Sequence, residues 1–80
     1  MIPKIYRVCD TLKARGIGRT QHYADINAGL FPKPVKIGRR MSGWPESEVA
    51  AINTAKIAGK TDSEIRALVR RLELARTVEA

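Results

Sequence analysis

The 80-residue chain contains one cysteine and one histidine. A lone thiol closes no internal disulfide, and Cys9 with His22 cannot complete a four-ligand zinc site, so no metal is expected. Cys9 is expected as a small buried apolar residue, and His22 as a core histidine held by a hydrogen bond. Aromatic residues make up only 5% of the chain. No apolar run approaches about 18 residues, which excludes a transmembrane helix from the expectation. The opening MIPKIYRVCD lacks the apolar core of a secretion signal, so the cytoplasm is the expected location. No Ser-His-Asp set or paired carboxylates mark a catalytic site, and neither an enzyme nor a cofactor is expected. The most informative scarcity is of acid. Residues 1–40 hold only Asp10 and Asp25 against nine Lys and Arg, whereas residues 41–80 hold six acids against six bases. The whole net charge of +7 therefore lies in the first half. Such one-sided charge points to a polyanionic partner.

What is present reads as short helices punctuated by Gly and Pro. Val8 and Leu12 are four apart and predict one buried face of a helix from Val8 to Arg15. Gly16 ends it, and Ile17 is an apolar plug in the turn. A second helix is expected from Gly18 or Arg19 to about Ala28, closed by Gly29. Helix, short turn and helix make a helix-turn-helix arrangement. At roughly 100° per residue, His22 and Ile26 share the inner face, with Thr20, Ala24 and Asn27 opposite and Gln21 and Tyr23 on the flanks. The outer face is small, polar and free of acid, which suits a helix laid in a DNA major groove. Asp25 falls toward the core side, where Arg15 or Lys33 can pair with it.

The stretch GLFPKPVKIGRR, Gly29 to Arg40, has four basic residues and no acid. Pro32 and Pro34 stop the helix and push Phe31 and Lys33 into extended conformations. Val35 and Ile37 alternate with Lys36, and Arg40, Ser42 and Trp44 alternate with Met41 and Gly43 on a return strand. These residues predict a small β-hairpin with Gly38, Arg39 and Arg40 at its tip. A two-stranded ribbon is marginal alone, so Phe31, Val35, Ile37, Met41 and Trp44 are expected to anchor it. Pro45 fits the first position of a third helix, with Val49, Ile52 and Ile57 as its apolar side and Gly59 as its end. Thr61-Asp-Ser-Glu64 is a capping box. Ile65, Leu68, Val69 and Leu72 follow as an amphipathic stripe, with Ala75 one turn on. That stripe can fold back onto a small core or pair with a second copy in a dimer.

The expected fold is mainly α with a small β-hairpin: a winged helix-turn-helix over residues 1–58 and a C-terminal amphipathic helix over 59–80. The hairpin is then a cationic wing, stiffened by its prolines. The segments GIGRTQHY, GLFPKPVKIGRR and WPESEV resemble the AlpA-type prophage regulators, short proteins grouped with phage excisionases and MerR-like DNA-binding domains. The resemblance covers about residues 6–58. This chain has Gly18 where many members have Ser, His22 where an aliphatic residue is common, and Ile52-Asn53 where Trp-Ile is common.

The resemblance implies a winged-helix protein that binds double-stranded DNA and regulates prophage or mobile-element genes. Some relatives instead bend DNA beside an integrase to promote excision. A basic module that docks on an acidic protein is the alternative of another class. Arg19, Thr20 and Gln21 are expected to read or orient on DNA from the helix start. Tyr23 is expected to donate to a phosphate, and Asn27 to touch bases or backbone. Arg39 and Arg40 are the expected wing contacts, supported by Lys36. A palindromic site would require a dimer or tandem copies.

Overall fold

The computed structural model describes residues 4–78. In chain order these form β1 (Ile5–Tyr6), α1 (Val8–Arg15), α2 (Arg19–Asn27), β2 (Val35–Lys36), β3 (Ser42–Pro45), α3 (Glu46–Ile57) and α4 (Asp62–Val78). The architecture is mainly helical with one small antiparallel sheet, compatible with a winged helix-turn-helix. The sheet order is β1-β3-β2, with β3 central. The expected hairpin pairs Val35 with Gly43 and Lys36 with Ser42. Its return strand begins at Ser42 rather than Arg40. The third strand, Ile5–Tyr6, pairs with Pro45 and Trp44 and was not foreseen.

Gly16 closes α1 in the left-handed conformation, with φ 71°, and its N–H donates to the Leu12 carbonyl at 2.8 Å. A residue with a Cβ is strained there, and the chain turns at once into α2. Pro45 does not open α3 as its first residue. It caps the helix from an extended conformation while still in β3, and the Glu46 N–H donates to the Lys4 carbonyl at 2.7 Å.

The core consists of Phe31, Trp44, Val49, Ile52, Ala55, Ile65 and Val69, with Tyr6, Val8, Ile26, Leu30, Leu68 and Leu72 packed against it. Several expected inward residues lie elsewhere. In α1 the buried residue is Thr11, whose hydroxyl donates to the Arg7 carbonyl; Val8 and Leu12 are half-buried. Cys9 is exposed, not buried. It sits two residues from Thr11, about 200° round the helix, and so faces away from the core. Ile57 is 87% exposed, because it too stands two residues from a buried position, Ala55. Ile37 and Met41 are not buried anchors but are 39% and 42% exposed, since they lie beyond the paired residues, toward the hairpin tip. Phe31 and Trp44 hold the hairpin instead, and the Trp44 indole N–H donates to the Pro32 carbonyl at 2.8 Å.

A polar cluster lies beside these rings. Arg15 bonds to Asp25 at 2.7 Å and meets His22 Nδ1 at 2.8 Å, and its guanidinium stacks 4.1 Å from the Phe31 ring centroid. Asp25 therefore pairs with Arg15, one of its two expected partners. The His22 ring packs edge-on against Trp44, centroids 4.7 Å apart. Its Nδ1 is bonded as expected, but Nε2 is buried without a partner among the described residues. Burial, then the Arg15 charge, holds the His22 pKa below its ordinary 6.5. Burial pushes the Asp25 carboxyl up, but hydrogen bonds from Arg15 and Gln21 outweigh it and hold that pKa below 3.8.

The C-terminal stripe folds back. Ile65 and Val69 are 2% and 4% exposed, and Leu68 and Leu72 are half-buried against the same core. The capping box forms as expected: the Thr61 N–H donates to Glu64 Oε1, and the Glu64 N–H to Thr61 Oγ1. Polar side chains of α4 then fasten the link between α2 and the hairpin. Arg66 Nε donates to the Ala28 carbonyl at 2.9 Å and Arg76 to the Lys33 carbonyl at 2.8 Å. Glu73 accepts from the Lys33 N–H at 2.9 Å, and Arg76 also pairs with Glu48 of α3.

Two predictions follow from this packing. A Cβ on Gly43 would lie 2.4 Å from the Tyr6 carbonyl oxygen. Gly43→Ala should therefore force β1 off β3 and cost about 1–3 kcal/mol, read as a lowered thermal midpoint. The second concerns acid. Because the folded His22 pKa lies below 6.5, the unfolded chain binds the proton first. Stability is complete above that value and declines as pH falls through it, with Asp25 adding a further loss only when its own carboxylate protonates. The urea midpoint, followed by the fluorescence of the buried Trp44, should fall between about pH 7.5 and about pH 5.5. An unchanged midpoint would show that His22 does not resist protonation.

Candidate nucleic-acid interface

The buried cluster fixes which way α2 faces. With His22 and Asp25 inside and Ile26 half-buried, the side chains of Arg19, Thr20, Gln21, Tyr23, Ala24 and Asn27 remain exposed. The Gln21 amide nitrogen donates to Asp25 Oδ1 at 2.8 Å. One amide hydrogen is thus committed, leaving the second hydrogen and the carbonyl oxygen for another partner. Tyr23 is 42% exposed, its ring edge-on to His22 with centroids 5.3 Å apart. That contact holds the ring from one side only.

In the wing, Lys36, Arg39 and Arg40 are all exposed. The tip is closed by the Ile37 and Gly38 N–H groups, which both donate to the Met41 carbonyl, at 2.9 and 3.2 Å. The strands are bonded to β3 in a sheet whose centre is the buried Trp44, so the basic tip is carried on an anchored base.

Arg19 and Arg40 are brought together. They line one open depression of about 490 Å³ with Arg7, Val8, Cys9, Met41 and Ser42. Its lining comes from the start of α1, the start of α2 and the wing. Thr20, Gln21, Tyr23 and Asn27 continue from it along α2, while Lys36 and Arg39 stay on the wing outside it. Arg7 was not among the expected contacts. Its charge is visible in the sequence, but its place beside residues 19 and 40 arises only when β1 joins the sheet.

The surface charge is less balanced than the sequence count implies. Asp25 is internally paired with Arg15, leaving Asp10 as the one exposed acid among the described residues of the first half. Among the described residues no helix is long and apolar enough to cross a membrane, and no group of three or more His, Cys, Asp or Glu could hold a metal ion.

No curated protein and no solved structure matches the chain. A family model, described as that of the prophage CP4-57 regulatory protein (AlpA), matches residues 4–51 of the 80. The matched span runs from β1 through the first half of α3 and contains both α1 and α2 and the wing. The chain belongs to the AlpA family of prophage-associated DNA-binding regulators.

Proposed function

We propose that the protein is a sequence-specific transcriptional regulator of a prophage or mobile element, acting in the bacterial cytoplasm. The α2 helix enters the major groove, and the wing follows the backbone or the adjacent minor groove. The observation that carries this reading is the outward face of α2. It is free of exposed acid and continuous, through Arg19, with the basic wing. Thr20, Gln21 and Asn27 supply donors and acceptors for base edges; Arg19, Tyr23, Lys36, Arg39 and Arg40 supply backbone contacts.

Copies of the protein act in tandem along the DNA rather than through a dimer of α4 helices. Support for this comes from Ile65 and Val69, which are buried within the chain and leave little apolar stripe for a partner. Selection of bound duplexes from a random pool should return a motif, with any second half-site in direct rather than inverted repeat. Recovery of duplexes without a motif would remove sequence-specific reading. A motif found within a phage attachment site, with the duplex bent on binding, would instead assign the protein to excision beside an integrase.

Changing Arg39 and Arg40 together to Ala should flatten the slope of log affinity against log salt by about one to two. The slope is read from binding isotherms at several salt concentrations. An unchanged slope would take the wing off the DNA.

A further inference from the structure

The depression shared by α1, α2 and the wing has an unusual charge pattern. Three arginines, Arg7, Arg19 and Arg40, line it, and no acidic residue does. Three cations elsewhere in the described residues pair with acids: Arg15 with Asp25, Lys60 with Glu64, and Arg76 with Glu48. Among the described residues, no ion pair or hydrogen bond engages the side chains of Arg7, Arg19 or Arg40. Gathering three like charges around one hollow is unfavourable until an anion enters it.

The backbone adds donors at the same place. Neither α1 nor α2 has a side chain capping its N-terminus. Amide N–H groups in the first turn of a helix have no partner within it. Here those first turns begin at lining residues Val8, Cys9 and Arg19.

We infer that this depression binds one phosphodiester of the DNA backbone, held jointly by Arg7, Arg19 and Arg40. Arg7 is thereby a DNA-contacting residue. This rests on the DNA-binding reading given above and adds a specific anchor to it. A phosphate gripped from three elements fixes the register of α2 in the groove. It also ties the wing to the helix pair, because Arg40 can reach the phosphate only when the wing is docked. Guanidinium forks suit the task, since each can offer two parallel N–H donors to phosphate oxygens.

Cys9 makes the site testable, because it is exposed, lines the depression and is the chain's one thiol. Full-length protein is mixed with a selected duplex, and the alkylation of Cys9 by a maleimide is timed. Saturating duplex should slow alkylation by about tenfold or more, because the DNA backbone closes the hollow. Arg7→Ala should weaken duplex binding by about tenfold and lower the salt slope by about one. Arg7→Lys should keep the slope and recover part of the affinity. Lys13→Ala removes an exposed cation of α1 outside the depression and serves as the charge control; it should lose clearly less.

Duplexes carrying a neutral methylphosphonate at single positions then locate the contact. At one position the wild-type protein should weaken while Arg7→Ala does not, so that the two bind alike. Circular dichroism checks that each variant is folded; the Arg7 side chain has no bond to lose, and its carbonyl still accepts from Thr11. Cys9 alkylating at the free rate in a saturated complex would overturn the clamp. So would an Arg7→Ala variant with unchanged affinity and slope. Either result leaves DNA binding itself standing. Duplex binding by the wild-type protein no better than that of an unrelated basic protein would remove both readings together.

Discussion

The Arg15 guanidinium is withdrawn from water between α1 and α2, with its side chain 4% exposed, where it meets Asp25, His22 and the face of Phe31. A buried cation is tolerable only when its partners are complete, and removing one partner from such a pair costs about 3–5 kcal/mol. That is much of the stability of a domain this small. The cluster therefore couples three decisions. It sets the angle between the two helices, it turns the polar face of α2 outward, and it seats Phe31 beside Trp44. The wing hangs from Trp44, and the last turn of α2 leads into Phe31. A loosened Arg15 would misplace both α2 and the wing at once.

Local chemistry made much of this fold legible. The turn glycines, the prolines and the capping box each act over a few residues, and the helices end where those residues require. Asp25 was identifiable as an inward acid because its angular position on α2 falls toward the core side. Strand β1 was not legible, because two residues have no alternation to read, and its partner is 40 positions away. The same cause hid Arg7, whose role depends on where β1 carries the chain.

Burial of single residues was less legible than the elements themselves. Cys9 and Ile57 are apolar types on helices, and composition favours the inside for both. Their angular distance from Thr11 and Ala55 decides otherwise, and that needs the core to be known. Ile37 and Met41 alternate like inward strand residues but lie past the paired part of the hairpin. His22 shows the converse. It occupies a position where an aliphatic residue is common in the resembled family, and it is buried fully, with Nδ1 bonded to Arg15 and Nε2 without a partner among the described residues. In a chain poor in aromatics, its ring extends the stack of Phe31 and Trp44.

The fourth helix grips the rest of the protein by its main chain. Arg66, Glu73 and Arg76 hold backbone atoms of Ala28 and Lys33, not their side chains. These bonds therefore do not depend on the side chains at those two positions, provided residue 33 keeps its N–H. The outward positions of α2 carry few scaffold duties beyond the Gln21 amide on Asp25 and the Tyr23 ring against His22. Such a design separates inheritance of shape from inheritance of target. Substitutions on that face could change what α2 presents to a partner without disturbing the frame that presents it.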